Sequence, residues 1–204
     1  MRTKTHHEER RRTTARRSAS SSDEWHRSLN IRLTWQTLEA GNLLRIVQLL
    51  NRSNQMNLRT RRLSVTELGE WVQRGHREVW SLSVADRFVS SGITGIVSLE
   101  FQENEALLVD FVLSCRVFGQ GIERAMVAKA IQQARLGGAR TLLANFLATD
   151  RNRPCYEFFV NSGLTQNHDE FSWDVFSSYS IPAYLDLEKG DVLRAPNSMS
   201  TLSA

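Results

Sequence analysis

A glycine turn between an apolar run and an amphipathic run constrains the fold of this chain most. Residues 116–121 read Arg-Val-Phe-Gly-Gln-Gly; they follow the apolar run 106–114 and precede a helical pattern at 122–136. The first N–H groups of a helix have no internal partner and carry partial positive charge. Glycines let that backbone approach phosphate oxygens closely. Strand, glycine turn and helix in this order predict a pyrophosphate-binding turn, the alternative being a plain connecting loop.

Two kinds of donor are predicted to hold this anion. An arginine side chain supplies charge-assisted hydrogen bonds, and the turn itself supplies backbone amides. The residues assigned to this role are Arg116, Gly119, Gln120, Gly121 and Ile122.

Hydrophobic periodicity predicts the remaining elements. Alternating or continuous apolar runs predict strands at 31–35, 79–85, 93–101, 106–114, 141–147, 171–176 and 181–187. Helical spacing, an S-x-x-E capping box and a proline at a helix start predict helices at 43–50, 64–73, 120–136 and 154–161. The order β-α-α-β-β-β-α-β-α-β-β indicates an α+β fold. It consists of a mixed, mostly antiparallel sheet of about six or seven strands with helices on both faces.

Charge is concentrated at the N-terminal end. The 204 residues carry a formal charge of +4, but residues 1–22 hold seven basic and two acidic residues, so the remainder is close to neutral. A basic tail without a basic groove disfavours nucleic-acid binding. We predict a disordered tail at 1–24, one folded domain at 25–187 and a second disordered tail at 188–204.

Hydropathy and cysteine usage bear on location. The sequence has no secretory h-region and no apolar run of the roughly 18 to 20 residues that a membrane span needs. Cys115 and Cys155 are predicted to be buried and unpaired, which is typical of a reducing compartment. These features predict a cytoplasmic protein that does not bind membranes. The five histidines lack the spacing of metal ligands, so no metal is predicted.

Two residues near the glycine turn are candidates for catalysis. Asp110 lies inside an apolar strand, where a carboxylate is costly unless it is paired or faces a cleft. In a cleft it would act as a general base, with Glu100 on the neighbouring strand as a weaker alternative. Cys115 directly precedes the turn, where a thiolate would carry an acyl group; the alternative is a small buried packing residue.

A polar loop at 51–62 is a candidate substrate-binding segment. Its amides, above all those of Asn54 and Gln55, suit a polar substrate or an amide-bearing arm, and the arginines that follow suit phosphate or an acidic partner. The alternative is a solvated loop.

The glycine turn and a second stretch resemble the acyltransferases of the GNAT (Gcn5-related) family. Residues 116–121 resemble the family's R-x-x-G-x-G loop for the pyrophosphate of acyl-CoA. Residues 152–164 resemble its N-x-x-A-x-x-F-Y signature with the G-F that follows. The resemblance implies a GNAT-like fold in which acyl-CoA, or the phosphopantetheine arm of a carrier protein, enters a splay between strands 106–114 and 141–147.

The same resemblance implies roles for particular residues. Asn152 would contact the pantetheine arm, and the strand residues Phe111, Val112 and Leu113 would line the cofactor. Many family members have a tyrosine as general acid where this chain has Phe159. Tyr156, about one helical turn earlier, is a candidate substitute.

Several stretches resemble a narrower group, the C-terminal acyltransferase-like domain of FkbH-like proteins. The resemblance covers about residues 25–176 and is carried by residues 49–58, 60–64, 86–88, 92–95 and 110–117. Members of that group combine a haloacid-dehalogenase-type (HAD-type) phosphatase domain with a GNAT-like domain. They load glycerate units onto an acyl carrier protein in polyketide biosynthesis. The 204 residues contain no D-x-D-x-T phosphatase motif, so the phosphoryl chemistry is not implied for this chain.

These observations predict an acyltransferase that uses acyl-CoA or a carrier-protein arm. The implied partners are an acyl carrier protein or a small-molecule acceptor, and a separate HAD-type phosphatase domain. The alternative is a non-catalytic module that binds the carrier protein, or the split half of an FkbH-like enzyme.

Overall fold

The sheet is built from runs whose side chains alternate between its two faces. The computed structural model describes residues 22–187. Its strands are β1 Ile31–Thr37, β2 Met56–Asn57, β3 Arg77–Ala85, β4 Ser90–Gln102, β5 Glu105–Leu113, β6 Thr141–Asn145, β7 Thr165–Asn167, β8 Glu170–Asp174 and β9 Leu185–Leu187. Its helices are α1 Ser22–Leu29, α2 Ala40–Arg52, α3 Val65–Gln73, α4 Ile122–Leu136 and α5 Arg153–Val160.

One mixed sheet organises the domain. The strand order is β7-β8-β6-β5-β4-β3-β1-β9, and β2 pairs with β5 outside this path. β1, β3, β4 and β5 pair antiparallel, whereas β6 runs parallel to β5. The predicted α+β class and mostly antiparallel sheet are confirmed. The sheet has nine strands rather than six or seven, because β2 and β7 are too short to leave a hydrophobic period in the sequence.

Helices cover both faces of the sheet. Val79, Ile96 and Val112 pack against α2 and α3, while their neighbours Trp80, Val97 and Phe111 belong to the larger core beneath α4 and α5. Period-two alternation along β3, β4 and β5 therefore supplies both cores. Each fully buried aliphatic or aromatic side chain contributes about 1.5 to 3 kcal/mol of transfer free energy.

The predicted signals at the ends of helices are present. The Ser64 hydroxyl accepts the Glu67 N–H at 3.2 Å, and the Glu67 carboxylate accepts the Ser64 N–H at 2.7 Å, so the capping box opens α3. α4 ends at Leu136, directly before Gly137 and Gly138.

Several boundaries differ from the predicted ones. α1 begins at Ser22, so the last three residues of the predicted tail 1–24 are helical. The predicted strand 181–187 shortens to β9, because a turn joins the Leu185 N–H to the Pro182 carbonyl at 3.2 Å. β6 ends at Asn145 rather than at residue 147. Residues 1–21 and 188–204 of the predicted tails lie outside the described residues.

Candidate functional site

A cleft of about 740 Å³ opens at the end of β5. The C-terminal half of α2 and the loop into β2 form one wall, residues 113–116 form the floor, and residues 150–154 at the start of α5 form the other wall. The connection after β5 and the connection after β6 leave the same end of two parallel strands. Loops at that end of a parallel pair are a common place for ligand sites.

Positive charge dominates this cleft. It is lined by one acidic residue, Asp150, and by five arginines: Arg45, Arg52, Arg116, Arg151 and Arg153. Arg45 donates to the Ile93 carbonyl at 3.2 Å, and Arg153 pairs with Glu157 at 2.8 Å. Guanidinium groups arranged around an open cleft favour a phosphate or carboxylate ligand.

The structure brings five of the predicted site residues together in this cleft. They are Asn54, Gln55, Leu113, Cys115 and Arg116. Cys115 is exposed, so the prediction that both cysteines are buried is wrong for this one, as is its reading as a small packing residue. It follows the end of β5 and therefore turns out of the sheet. The cleft thus combines an accessible thiol with cationic and amide side chains.

The glycine turn lies outside the cleft and holds a carboxylate of its own chain. The Gly119 N–H donates to Glu123 Oε1 at 2.5 Å, and Glu123 is 3% exposed. Burial raises the pKa of Glu123, while the amides of Gly119, Glu123 and Gly121 act in the opposite direction. The amides predicted to bind pyrophosphate are therefore bonded to a side chain from the first turn of α4.

A second segment covers the same turn. A Cβ on Gly121 would lie 2.6 Å from the Tyr184 hydroxyl and 2.8 Å from the ring of Pro182. The Tyr184 hydroxyl also donates to the Gln120 carbonyl at 3.2 Å, and Ile122 is fully buried. Of the predicted anion ligands, Arg116 lines the cleft, whereas Gly119, Gln120, Gly121 and Ile122 do not.

The predicted splay between β5 and β6 is not open. Pairing of β5 with β6 ends at Leu108↔Ala144, and beyond it β2 pairs with β5 through Met56↔Leu113 and Asn57↔Val112. The Leu58 N–H donates to the Phe111 carbonyl at 3.1 Å, and the Leu58 carbonyl accepts the Leu147 N–H at 3.0 Å. We call residues 56–58 the inserted segment. It fills the gap in which the resemblance placed the arm, so the expectation of an open gap is wrong.

Asn152 fixes the inserted segment. Its side chain is fully buried and donates to the carbonyls of Asn57 at 3.0 Å and Leu147 at 2.9 Å. Its Oδ1 accepts the Thr149 N–H at 2.8 Å. The resemblance predicted that Asn152 contacts a pantetheine arm. In this structure Asn152 instead contacts the backbone of the inserted segment, which lies where the arm was expected.

Asp110 is buried in an ion pair. Arg61 Nε donates to Oδ1 at 3.0 Å and Arg61 Nη2 to Oδ2 at 2.5 Å, while the Ser98 hydroxyl donates to Oδ2 at 2.5 Å. Of the two alternatives for a carboxylate in this strand, pairing and a cleft, the structure has pairing. Glu100 likewise pairs with Arg77 at 2.7 Å.

Neither Phe159, at the position where the family has its acidic tyrosine, nor Tyr156, the candidate substitute, lies in the cleft. Phe159 is fully buried, with ring centroids 5.1 Å from Phe111 and 5.3 Å from Phe171. The ring of Tyr156 lies 5.0 Å from that of Phe146, and its hydroxyl accepts from Gln166 at 2.9 Å. Of this aromatic group, none lines the cleft.

Sequence reasoning missed Glu123 and the arginines contributed by α2 and by residues 151–153. Glu123 carried a signal, because an acid in the first turn after a glycine turn is placed to accept the free amides. The arginines carried none, since they come from segments about a hundred residues apart that only the fold brings together.

No protein-family model matches the chain, and no curated protein matches its sequence. Solved structures do match. The spermidine N-acetyltransferase of Vibrio cholerae, in complex with CoA and spermine, is 16% identical with a TM-score of 0.54, over 70% of this chain and 95% of that one. The ribosomal-protein-S18-alanine N-acetyltransferase of Escherichia coli is 14% identical with a TM-score of 0.53, over 72% and 96%.

A third structure, of a protein from Desulfovibrio desulfuricans assigned to the GNAT acetyltransferases, is 12% identical with a TM-score of 0.53, over 70% of this chain and 99% of that one. The chain has the GNAT fold. At these identities the likeness extends to the fold alone, so the activity has to be argued from the site of this chain. No helix within residues 22–187 has the length and apolar character to cross a membrane.

Coenzyme A is the group that this fold implies. In this chain the amides of the glycine turn are bonded to Glu123, and the inserted segment lies between β5 and β6. The residues present therefore do not fit CoA in the position that the family resemblance gave it.

Proposed function

We propose that this domain is an acyltransferase in which Cys115 takes an acyl group from a thioester bound in the arginine-lined cleft. One observation carries the proposal: on a GNAT fold, an exposed cysteine and five arginines line the same cleft. A thiolate is the strongest common nucleophile among side chains, and it attacks thioester carbonyls.

The donor that suits this cleft is the phosphopantetheine arm of an acyl carrier protein. Its phosphodiester carries one negative charge, which the arginines would bind through charge-assisted hydrogen bonds. The carboxamides of Asn54 and Gln55 line the same wall and are suited to the two amide groups of the pantetheine chain. Carrier proteins are acidic, and a positively charged rim would speed their association.

The transfer is a thioester exchange. The Cys115 sulfur attacks the acyl carbonyl, the bond between the carbonyl carbon and the sulfur of the arm breaks, and the acyl group remains on Cys115. The arm leaves as a thiolate and takes up one proton, which balances the proton lost from the Cys115 thiol to solvent. The protein contributes mainly positioning, because it holds the two sulfur atoms beside one carbonyl.

A second candidate is a carrier-binding module without catalysis. Two features favour it: Asp110 is held in an ion pair, and Phe159, in place of the family's tyrosine, has no proton to donate. The polyketide setting and a separate HAD-type phosphatase partner belong to both candidates, and they rest on the resemblance to FkbH-like proteins.

Intact-mass spectrometry tests the first candidate. The protein is incubated with a holo carrier protein bearing acetyl, malonyl or glyceryl groups, and a single acyl addition that maps to Cys115 is the expected result. Cys115→Ala should abolish the addition. Cys155→Ala is the matched control, because it removes the other thiol of the protein, which is buried and does not line the cleft.

Binding of the carrier protein separates the two candidates. Carrier binding without any acyl addition would leave only the module. Addition at other positions, unaffected by Cys115→Ala, would overturn the role of Cys115.

A further inference from the structure

The backbone amides of the glycine turn are already occupied by the side chain of Glu123. Gly119 and Gly121 both have positive φ, +76° and +75°, and this geometry turns successive N–H groups towards one side. Glu123 takes those groups with its carboxylate, and burial raises the pKa of that carboxyl. An incoming diphosphate would have to displace a buried, hydrogen-bonded carboxyl group before it reached these amides.

Access to the amides of the glycine turn is restricted as well. Tyr184 and Pro182 lie so close to Gly121 that a single methyl group would collide with both. This covering segment leads into β9, which pairs with β1 at Ile31↔Leu185, so the sheet holds it in place. The occupant and the cover come from two different parts of the chain and act on the same turn.

The strand gap beside the turn is closed in the same way. Met56 and Leu58 are 1% and 0% exposed, and the Asn57 side chain donates to the Ser53 carbonyl at 2.9 Å and accepts the Thr60 N–H at 2.7 Å. The inserted segment is part of the core rather than a removable lid. A bound arm is therefore confined to the surface cleft, where its sulfur end meets Cys115.

We propose that Glu123 is a specificity-determining residue: it occupies the amides of the glycine turn, so the domain discriminates against thioesters that carry a nucleotide diphosphate and accepts those with one phosphate. This inference rests on the proposed function because that function identifies the cleft as the thioester site. Its test measures binding alone and needs no acyl transfer. CoA and 4′-phosphopantetheine are a matched pair of probes, because they share the pantetheine chain and the phosphate attached to it. They differ in the 3′-phospho-AMP portion that CoA adds.

Titration calorimetry with these two probes tests the inference without any acyl transfer. The wild-type protein is expected to bind CoA no more than about threefold more tightly than phosphopantetheine, because the turn amides that would hold the second phosphate are bonded to Glu123. Glu123→Ala, alone or combined with Tyr184→Ala to remove the cover, should raise CoA affinity at least about tenfold by restoring charge-assisted hydrogen bonds. Phosphopantetheine affinity should not change.

Glu123→Gln is the conservative control. Its amide oxygen still accepts the turn N–H groups, so CoA affinity should stay near the wild-type value. Unchanged CoA affinity in both alanine variants, or a wild-type preference for CoA of tenfold or more, would overturn the inference.

A measurement on the wild-type protein covers the case in which the alanine variants do not fold. Amide NMR signals of Gly119 and Gly121 should not shift when inorganic pyrophosphate is added, and a saturable shift of both would overturn the inference. If no thioester acylates Cys115 but these binding results hold, the proposed function fails and the role of Glu123 stands. If Cys115 is acylated equally fast by carrier-bound and CoA-bound acyl groups, the proposed function stands and the role of Glu123 fails.

Discussion

Arg61 and Asp110 form a two-bond ion pair that ties the segment after β2 to the middle of β5. The two nitrogen–oxygen distances are 3.0 and 2.5 Å, and Asp110 is 2% exposed. The Arg61 guanidinium also lies 4.7 Å from the ring centroid of Trp71 on α3. Arg61 thus connects the loop after the inserted segment with the sheet and with α3, and the carboxylate of Asp110 in the apolar strand holds this connection.

Asp110→Asn is expected to lower the free energy of unfolding by about 2 to 4 kcal/mol, because it leaves Arg61 facing a neutral group in a mostly buried site. Urea denaturation measures this. In Arg61→Met the loss should be similar, and the double variant should lose clearly less than the two single losses together. Full stability of Asp110→Asn with reduced acyl transfer would instead make Asp110 a catalytic base.

Asn152→Ala should detach the inserted segment. The change removes two donors and one acceptor that satisfy backbone groups of Asn57, Leu147 and Thr149, and each buried group left unpaired costs about 1 to 3 kcal/mol. Hydrogen exchange should accelerate at 56–58 and 147–149 more than in β3 and β4. Uniform acceleration across the sheet would contradict a local role.

Glu123 predicts a pH dependence of stability with a definite sign. Because burial raises the pKa of this carboxyl in the folded state, the folded protein holds the proton at pH values where the unfolded chain has released it. Stability therefore falls as the pH rises from about 4.3 through the folded pKa. The unfolding free energy of Glu123→Gln, relative to wild type, should increase over that range. Parallel pH profiles of the two proteins would contradict it.

The two cysteines should differ sharply towards an alkylating reagent. Cys115 is exposed, whereas Cys155 is fully buried and burial raises the pKa of its thiol. Iodoacetamide should modify one thiol in the native protein and two in urea. Cys115→Ala should leave no fast-reacting thiol; rapid modification of that variant would show that Cys155 is accessible.

The two glycines of the turn form a matched pair for substitution. Both have positive φ, so alanine at either position costs roughly 1 to 2 kcal/mol. A Cβ on Gly119 meets no atom within 4 Å, whereas one on Gly121 would collide with Tyr184 and Pro182. Overpacking adds about 1 to 3 kcal/mol, so Gly121→Ala should be the less stable variant in thermal or urea unfolding. Equal losses would show that the covering segment is loose.

The sequence predicted the frame of the fold because its signals are local. A few neighbouring residues are enough to predict each of three features: the strand at 93–101, the helix start at Ser64 and the helix end at the glycines after α4. The order of helices and strands along the chain predicted the α+β class, which the structure confirms. The two-residue β2 left no such signal, and its position depends on partners more than fifty residues away in the sequence.

The site was predicted only in part, for the same reason. The glycine turn was predicted to offer its amides to a pyrophosphate, but the carboxyl group of Glu123, a residue of the predicted helix, accepts them instead. Motif matching assigns a role to the residues that match, and it is silent on neighbours that use up the same donors. Cys115, Asn54 and Gln55 did converge, although the arginines around them could not be foreseen from spacing.

The outermost strands of the sheet, β7 and β9, have three residues each. Such short rims present few unpaired N–H and C=O groups, so the fold offers little template on which a foreign strand could extend the sheet. β9 pairs with the seven-residue β1, so a foreign strand could pair with β1 at that edge only after residues 185–187 had dissociated from it. Loss of those three residues would expose the unpaired backbone edge of β1, and edge-to-edge aggregation would become favourable.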